Sequence, residues 1–332
     1  MPLRDVLLPA IARRASLLAR LHAEGTDAYR LLHGVAEQAP GITVDRYGSC
    51  LLLQTFRAPL PADEVDEVAS VVNAELGLDL PIVANHRGPP PPPDHVPHQP
   101  SHAALAEHAC HERRLRFSFR ARHRGQDPWL FLDLRAARAF VQANSSGKRV
   151  LNLFAYTGGV GLVAAAGGAS RVLDVDFAAS ALEVAAANAT ANGFGDRIEH
   201  LHADCQPVLR QLAGMPVQRR GKHLPFPRVA REPFDLIVLD PPRFAKTPFG
   251  TIDVVHDYQS LWKPCLLALA DGGAIVATNH VPDVRAEDWH GALQRCAAKA
   301  GRPLRSLEAL PVDADFPSFD DRPPLKVVVA RP

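Results

Sequence analysis

Three short stretches hold residues whose types and spacing could do chemistry. The first, LNLFAYTGGVGLVAAAGGASRVLDVD (151–176), reads as an apolar strand, a glycine turn, a small-residue helix and a second strand ending in Asp176. Gly159, Gly161 and Ala164 satisfy GxGxx(G/A), the pattern that brings backbone close to an adenosine-containing cofactor, and Asp176 stands where an acid meets a ribose hydroxyl pair. The second, HADC (202–205), closes the next strand with Asp204 and Cys205, where an acid can meet an adenine amino group. The third, FDLIVLDPPRF (234–244), ends a buried strand in Asp240, Pro241 and Pro242. Two prolines stiffen that loop and fix the direction of Asp240, at the edge where open α/β sheets hold substrate.

The glycine turn by itself fits an NAD-dependent oxidoreductase, or a packing turn in a chain with 22 glycines. Asp-Pro-Pro separates the readings. Hydride transfer has no use for a rigid acidic loop there, whereas a methyl acceptor must be held in line with a sulfonium. Glycine turn, Asp176, Asp204 and DPPxF, in this order, indicate S-adenosylmethionine and a methyltransferase.

The elements that must position these residues alternate. Strands are expected at 149–156, 170–176, 197–204, 234–240, 274–279, 303–310 and 325–330, with helices at 159–167, 178–193, 205–213, 257–270 and 286–300. This pattern predicts an α/β fold, a doubly wound Rossmann-like sheet spanning 126–332. Residues 1–125 form a smaller N-terminal α+β domain: a helix over 1–25, β-rich 41–56 with a turn at Tyr47-Gly48, a helix over 62–76 and a strand at 81–85. Five consecutive prolines at 89–93 exclude helix and sheet interior, so 88–101 is an exposed polyproline-type spacer.

Net charge is only +1, so attraction for an acidic partner must be local. Two places offer it. RRLRFSFRARHRG (113–125) alternates, with Leu115, Phe117, Phe119 and Ala121 on one face and Arg114, Arg116, Arg120, Arg122 and Arg124 on the other. Such a strand could lie along a phosphate backbone or simply be a solvated face. The loop 214–233 carries Arg219, Arg220, Lys222, Arg228 and Arg231 against Glu232, with the same two readings.

With 47% apolar residues the chain can bury a core, and its five cysteines form no CxxC pair. That suits free thiols in a cytoplasmic protein rather than a disulfide frame or zinc site, and no metal is expected. No apolar run reaches the ~18 residues of a membrane span, and neither signal peptide nor anchor is read.

At these motifs the chain resembles the bacterial 23S rRNA methyltransferases of the class I S-adenosylmethionine type, which include cytosine-C5 and guanine-N7 enzymes. The similarity covers about 28–330. AYRLLHGVAEQAPGITVDRYG (28–48) resembles the opening of the family's middle domain, LNLFAYTGG and LDPPRF match its cofactor and acceptor motifs, and PPLKVVVARP (323–332) resembles its last strand. DPWLFLDLRAAR (127–138) is similar to the stretch where members place an Asp and an Arg near the cofactor, here Asp133 and Arg135. Three departures stand out. The RNA-binding module that many cytosine-C5 members carry before the middle domain is not read in this sequence, the proline run replaces a charged segment, and ATNHVPD stands where cytosine-C5 members carry a catalytic cysteine.

The last departure has a chemical consequence. Carbon 5 of cytosine is a poor nucleophile, activated by a thiolate adding at carbon 6. Cys50, Cys110, Cys205, Cys265 and Cys296 all fall elsewhere in this reading. The acceptor is then an atom with its own lone pair, with guanine N7 favoured, for which positioning and desolvation suffice. The resemblance implies that Phe154, Tyr156, Thr157, Gly158 and Gly159 border the methionine part of the cofactor. Asp176 takes the ribose hydroxyls, Phe177 packs on the adenine, and Asp204 and Cys205 border its edge. Asp240, Pro241 and Pro242 orient the acceptor, and Asn279 holds the base edge or only turns the chain. His280 is read as a surface residue. RNA is the expected partner, through Arg116, Arg120, Arg122, Arg124 and the 214–233 loop. A small-molecule or protein acceptor stays open, as does a non-catalytic RNA-binding protein that kept the fold.

Overall fold

The computed structural model describes residues 2–217, 226–247, 249–320 and 322–332. Its contacts divide the chain into two units, 1–133 with 313–322, and 134–312 with 323–332. The boundary expected at 125/126 therefore lies at 133/134, and a late segment returns to the first unit. Long-range bonds explain that return. Arg14 Nη2 donates to the Asp315 carbonyl at 3.0 Å, the Arg30 amide donates to Asp315 Oδ2 at 3.0 Å, and the Arg30 guanidinium lies 4.6 Å from the Phe316 ring centre. Partners so far apart in sequence leave no local signal.

The first unit begins with α1 (Leu3–Arg13) and α2 (Ala15–Ala23), not the single helix expected. The chain breaks at Arg14, whose guanidinium turns inward to Glu37, with contacts of 2.7 and 2.9 Å. Strands β1 (Ala28–His33), β2 (Ile42–Tyr47), β3 (Cys50–Thr55) and β4 (Ile82–His86) form a sheet in that order, and α3 (Ala62–Leu76) links its last two strands. Gly48, at φ +60°, turns β2 into β3, and a Cβ there would meet the Ala109 carbonyl at 2.0 Å. The valines of α3 (Val65, Val68, Val71, Val72) pack in one core with Leu31, Leu51 and Leu53. After α4 (His102–Leu105), β5 (His108–Glu112) and β6 (Leu115–Phe119) form a two-stranded hairpin.

That hairpin corrects the expected arginine strand. Only Leu115–Phe119 is strand; Arg113 and Arg114 are the turn, both at positive φ, and Arg120, Arg122 and Arg124 follow the strand. Arg120 pairs with Glu107 at 3.6 Å.

The second unit runs α5 (Arg135–Asn144), β7 (Arg149–Leu153), α6 (Gly159–Ala166), β8 (Arg171–Asp176), α7 (Ala179–Ala191), β9 (Ile198–His202) and α8 (Cys205–Leu212). It continues with β10 (Phe234–Leu239), β11 (Phe244–Thr247), β12 (Gly250–Asp253), α9 (Gln259–Ala268), β13 (Leu269–Asn279), α10 (Ala286–Lys299), β14 (Ser306–Leu310) and β15 (Lys326–Arg331). Seven strands form one sheet in the order β14-β15-β13-β10-β7-β8-β9, parallel except for β15, which is antiparallel to both neighbours. The expected alternation is present; α5 and the β11–β12 hairpin were not foreseen. Alternate strand residues face opposite sides. Leu151, Leu153, Leu173, Val175, Ile237 and Leu239 share one core with Trp262, Leu266 and Trp289. The strand order reverses between β7 and β10, which opens a crevice beyond their carboxyl ends. The glycine turn leaves β7 there, and Asp-Pro-Pro leaves β10 beside it, since Leu153 pairs with Leu239.

Candidate active site

The turn after β7 is held in a costly conformation. Phe154 and Tyr156 have φ of +60° and +49°, and Gly158 follows at +73°. Side chains rarely adopt such angles, and residues held there cluster at functional sites. Neighbouring strand ends impose them. The Tyr156 amide donates to Asp176 Oδ2 at 2.8 Å, the Ala155 amide to the Val175 carbonyl at 3.1 Å, and the Phe154 amide to Cys205 Sγ at 3.4 Å. Asn188 Nδ2 holds the Thr157 carbonyl at 3.2 Å, and the Thr157 side chain is buried. Gly159 begins α6.

Under this turn lies a polar row that sequence reasoning missed. Asn152, Asp174 and His200 are paired neighbours on β7, β8 and β9. Asp174 is 0% exposed and accepts from Asn152 Nδ2 at 2.9 Å. His200 Nδ1 lies 3.2 Å from Asp174 Oδ2, but without the alignment of a hydrogen bond, so that oxygen stays unsatisfied. Burial pushes the Asp174 carboxyl above the usual carboxylate range, against the pull of His200 and Asn152. A Cβ on Gly161 would stand 2.2 Å from Asp174 Oδ1, so this glycine is required by close approach to the acid. The available signal was an acid in mid-strand, "LDVD", with a second glycine in the facing helix.

The next two strand ends carry the other acids. Asp176 is buried; its Oδ1 accepts from the Ala178 amide at 2.8 Å while Oδ2 holds Tyr156. Burial raises its pKa, opposed by these amides. Each carboxylate oxygen keeps a further acceptor site. Phe177 beside it is 50% exposed, a large aromatic surface open to a flat ring. Asp204 caps α8 through Oδ1, which accepts from the Gln206 amide at 2.8 Å, while its Oδ2 is buried without a partner. Cys205 differs from expectation: it is 1% exposed and its thiol donates to the Val175 carbonyl at 3.4 Å, so it braces the turn from within the core. An orphaned acceptor, an exposed aromatic, an acid at the strand end and a glycine cradle fit an adenosine-bearing sulfonium such as S-adenosylmethionine.

On the acceptor side, Asp240 accepts a short hydrogen bond from the Thr278 hydroxyl. Thr278 is the last residue but one of β13, next to β10, and the buried Tyr258 hydroxyl fixes its carbonyl at 2.9 Å. Pro241 and Pro242 continue from Asp240, and the β11–β12 hairpin follows them. Asn279 is 1% exposed. Its Oδ1 accepts from the Val281 amide at 3.0 Å, and its Nδ2 is buried with no partner. His280 is exposed.

None of the five cysteines lies at this strand end. Cys50 and Cys110 are on β3 and β5, Cys265 and Cys296 on α9 and α10, and Cys205 under the turn. Burial pushes the Cys50 thiol up to about 12, and it raises Cys205, Cys265 and Cys296 as well. Such thiols are not poised as thiolates.

The remaining expected residues fall as follows. Arg135 is buried at the start of α5, which packs on α6; Asp133 belongs to the first unit. Arg116, Arg120, Arg122 and Arg124 are exposed on the first unit. In the 214–233 loop, Arg219, Arg220 and Lys222 lie outside the described residues, and Arg228 sits 5.4 Å from the Phe226 ring centre. Among the described residues, no group of three or more His, Cys, Asp or Glu is arranged to hold a metal, and no helix is long and apolar enough to cross a membrane.

The sequence pattern of the S-adenosylmethionine-dependent methyltransferases matches residues 30–331. A ribosomal RNA large subunit methyltransferase of Deinococcus radiodurans is 32% identical over 316 residues, covering 90% of this chain and 71% of that protein. Ribosomal RNA large subunit methyltransferase I of Shewanella amazonensis is 28% identical, covering 99% and 81%. A solved S-adenosylmethionine-dependent methyltransferase structure from Streptococcus mutans superposes with a TM-score of 0.77 at 21% identity, covering 99% of this chain and 80% of that one. The NAD-dependent alternative gives way to this match over residues 30–331. The strained turn, the acids at successive strand ends and Asp-Pro-Pro thus sit in a class I sheet, and the chain belongs to the S-adenosylmethionine-dependent methyltransferase family, with the ribosomal RNA large subunit methyltransferases among its relatives.

Proposed function

We propose that this enzyme methylates a base of large-subunit ribosomal RNA, with guanine N7 as the acceptor. One observation carries the choice of atom. The strand end beside Asp240 presents no thiol; it presents the buried, unpartnered amide nitrogen of Asn279. A cytosine C5 acceptor needs covalent activation by a thiolate, whereas guanine N7 has its own lone pair. The RNA reading is supported by the relatives, which are named for ribosomal RNA.

The cofactor supplies an electrophilic methyl group on a sulfonium, which an acceptor lone pair can take in one in-line step. The chain's residues provide the rest. Asp204 Oδ2 accepts from the adenine amino group, Asp176 takes ribose hydroxyls, and Phe177 covers the adenine ring. Phe154, Tyr156, Thr157, Gly158 and Gly159 border the methionine end, with the amides of Phe154 and Tyr156 already spent on bracing the turn. Thr278 and Tyr258 fix Asp240, so that it and the Pro241-Pro242 backbone orient the acceptor base without reorganising. Asn279 Nδ2 donates to the base edge; for guanine the O6 carbonyl beside N7 is an acceptor. No general base is needed, because N7 carries no proton. A base within RNA must be splayed from its stack to reach such a site. Arg116, Arg120, Arg122 and Arg124 of the first unit, with Arg228 and Arg231 of the 214–233 loop, contact RNA phosphates. The protein acts in the cytoplasm and needs no metal.

Methyl transfer from labelled S-adenosylmethionine to unmodified ribosomal RNA, followed by nucleoside mass analysis, tests this. Label in 7-methylguanosine is the expected result. Label in 5-methylcytidine overturns the thiol reasoning. Label confined to a metabolite or protein extract favours the second reading, a small-molecule or protein acceptor, which the net charge of only +1 keeps open.

A further inference from the structure

The first unit contains a cavity of about 430 Å³, walled by the end of β4, the residues after β6 and the stretch 95–98 beyond the proline run. Its lining is chemically one-sided. It includes two arginines and four histidines and no carboxylate.

Arg122 is the central charge. Its Nε donates to Asn85 Oδ1 at 3.0 Å and its Nη2 to the Ala84 carbonyl at 2.9 Å. Both acceptors are neutral, and Arg122 makes no ion pair among the described residues. A guanidinium held by neutral acceptors has a set orientation and no carboxylate paired against it. Arg87 is the second cation; its Nη2 reaches Asp127 at 2.6 Å, and its guanidinium lies 5.7 Å from the Phe56 ring centre.

Three of the four histidines divide into two kinds. His86 has both ring nitrogens engaged, with Thr55 Oγ1 at 2.7 Å and the Pro89 carbonyl at 2.6 Å. His123 is engaged by the Asp127 carbonyl at 2.8 Å and the Gly125 amide at 2.9 Å. These two are fixed wall. His98 is not. Its side chain is 10% exposed, its Nε2 lies 3.3 Å from Asp66 Oδ1, and its Nδ1 is buried with no partner. Such an atom calls for a ligand. Leu60, Pro97 and Ala121 add apolar wall.

A fixed cation, an orphaned ring nitrogen and an apolar wall together match an anionic group joined to a flat polar ring, and the volume falls within the ~300–1,000 Å³ of ligand sites. We infer that this cavity binds one phosphate-bearing nucleotide. The inference rests on the proposed RNA function insofar as that nucleotide belongs to an RNA strand; a free nucleotide shares the chemistry. It also assigns the proline run a task. Residues 89–93 lie outside helix and sheet, and they carry the chain from the anchored His86 to His95 and His98 on the cavity wall.

The test titrates the full chain with a short labelled single-stranded oligoribonucleotide by anisotropy, and with 5′-AMP by calorimetry. The chains compared are wild type, Arg122→Gln and His98→Ala. The thermal shift given by S-adenosylmethionine reports that each variant is folded. If the nucleotide is part of RNA, Arg122→Gln weakens oligonucleotide binding roughly tenfold and reduces the salt slope by about one. His98→Ala then weakens it roughly threefold. Oligonucleotide binding equal in all three chains overturns the cavity and strikes Arg122 from the phosphate contacts, while RNA stays the substrate; a loss in Arg122→Gln with none in His98→Ala leaves Arg122 a surface phosphate contact and likewise overturns the cavity. Binding of 5′-AMP that Arg122→Gln abolishes, with no oligonucleotide binding, supports the cavity with a free nucleotide and removes the RNA reading. Binding of neither probe by wild type overturns both.

Discussion

Two buried carboxylates, one in each unit, are treated in opposite ways. In the first unit Glu37 accepts from Arg13 at 2.7 Å, from Arg14 at 2.7 and 2.9 Å, and from the His33 amide at 2.7 Å. Burial alone would raise its pKa, but these donors outweigh it and hold the carboxyl below the usual range. In the second unit Asp174 has one aligned donor, Asn152, and burial wins, so its pKa is raised. The first is a carboxylate with a full set of donors, at the junction that breaks one helix into two. The second is an under-satisfied acid beneath the strained turn after β7, filling the space that Gly161 leaves. The well-paired carboxylate lies away from the strained turn, and the under-satisfied one lies beneath it, as expected where strain is kept for binding.

The largest way to break this comparison is Glu37→Ala. It leaves the buried Arg14 without a counter-charge, and urea unfolding should show a loss of about 3–5 kcal/mol. The folded fraction should keep its affinity for S-adenosylmethionine. A loss below that of an exposed ion pair would show that the junction is not what holds the unit.

Next comes Gly161→Ala, whose Cβ would press on Asp174 Oδ1 at 2.2 Å. Overpacking of this kind costs about 1–3 kcal/mol, and the displaced turn should weaken cofactor binding. Adding Asp174→Ala should restore part of both, read as thermal midpoints with and without S-adenosylmethionine. A double variant no better than the single one would disconnect acid from glycine.

The pH dependence sharpens the contrast, because the two signs differ. Glu37, with its lowered pKa, contributes stability at neutral pH that is lost as pH falls through its folded value. Asp174, with its raised pKa, does the reverse: the folded state favours its proton, so its contribution is present in acid and lost as pH rises through the folded value. Asp174→Asn should therefore gain stability over wild type at neutral pH, with the gain shrinking toward acid. A difference that stays flat across pH would show that Asp174 does not titrate differently on folding.

The smallest effect belongs to Thr278→Val, which removes one hydrogen bond from Asp240. A single such bond is worth about 0.5–1.5 kcal/mol, so kcat should fall roughly two- to tenfold while the S-adenosylmethionine KM stays put. Equal changes in both would assign Thr278 to general stability.

The sequence made the doubly wound sheet legible because its strands and helices are written in local periodicity. β8, α6, β10 and α10 lie within a residue or two of their expected bounds. The β11–β12 hairpin was not legible, since its strands are short and mostly unburied. The arginine strand was over-read, because alternation continues past Phe119 although the pairing with β5 ends there.

By itself, then, the sequence determined the sheet, the glycine turn, the order of Asp176, Asp204 and Asp240, and the absence of a cysteine after β13. These are properties of neighbouring residues or of composition. Only the tertiary structure decided that Cys205 faces inward, that Asp174 meets Gly161, that Asn279 keeps an unused donor, and that residues 313–322 return to the first unit. Each depends on atoms from distant segments meeting in a place without water. Burial sets the energy of those groups, and no local pattern of residues records it.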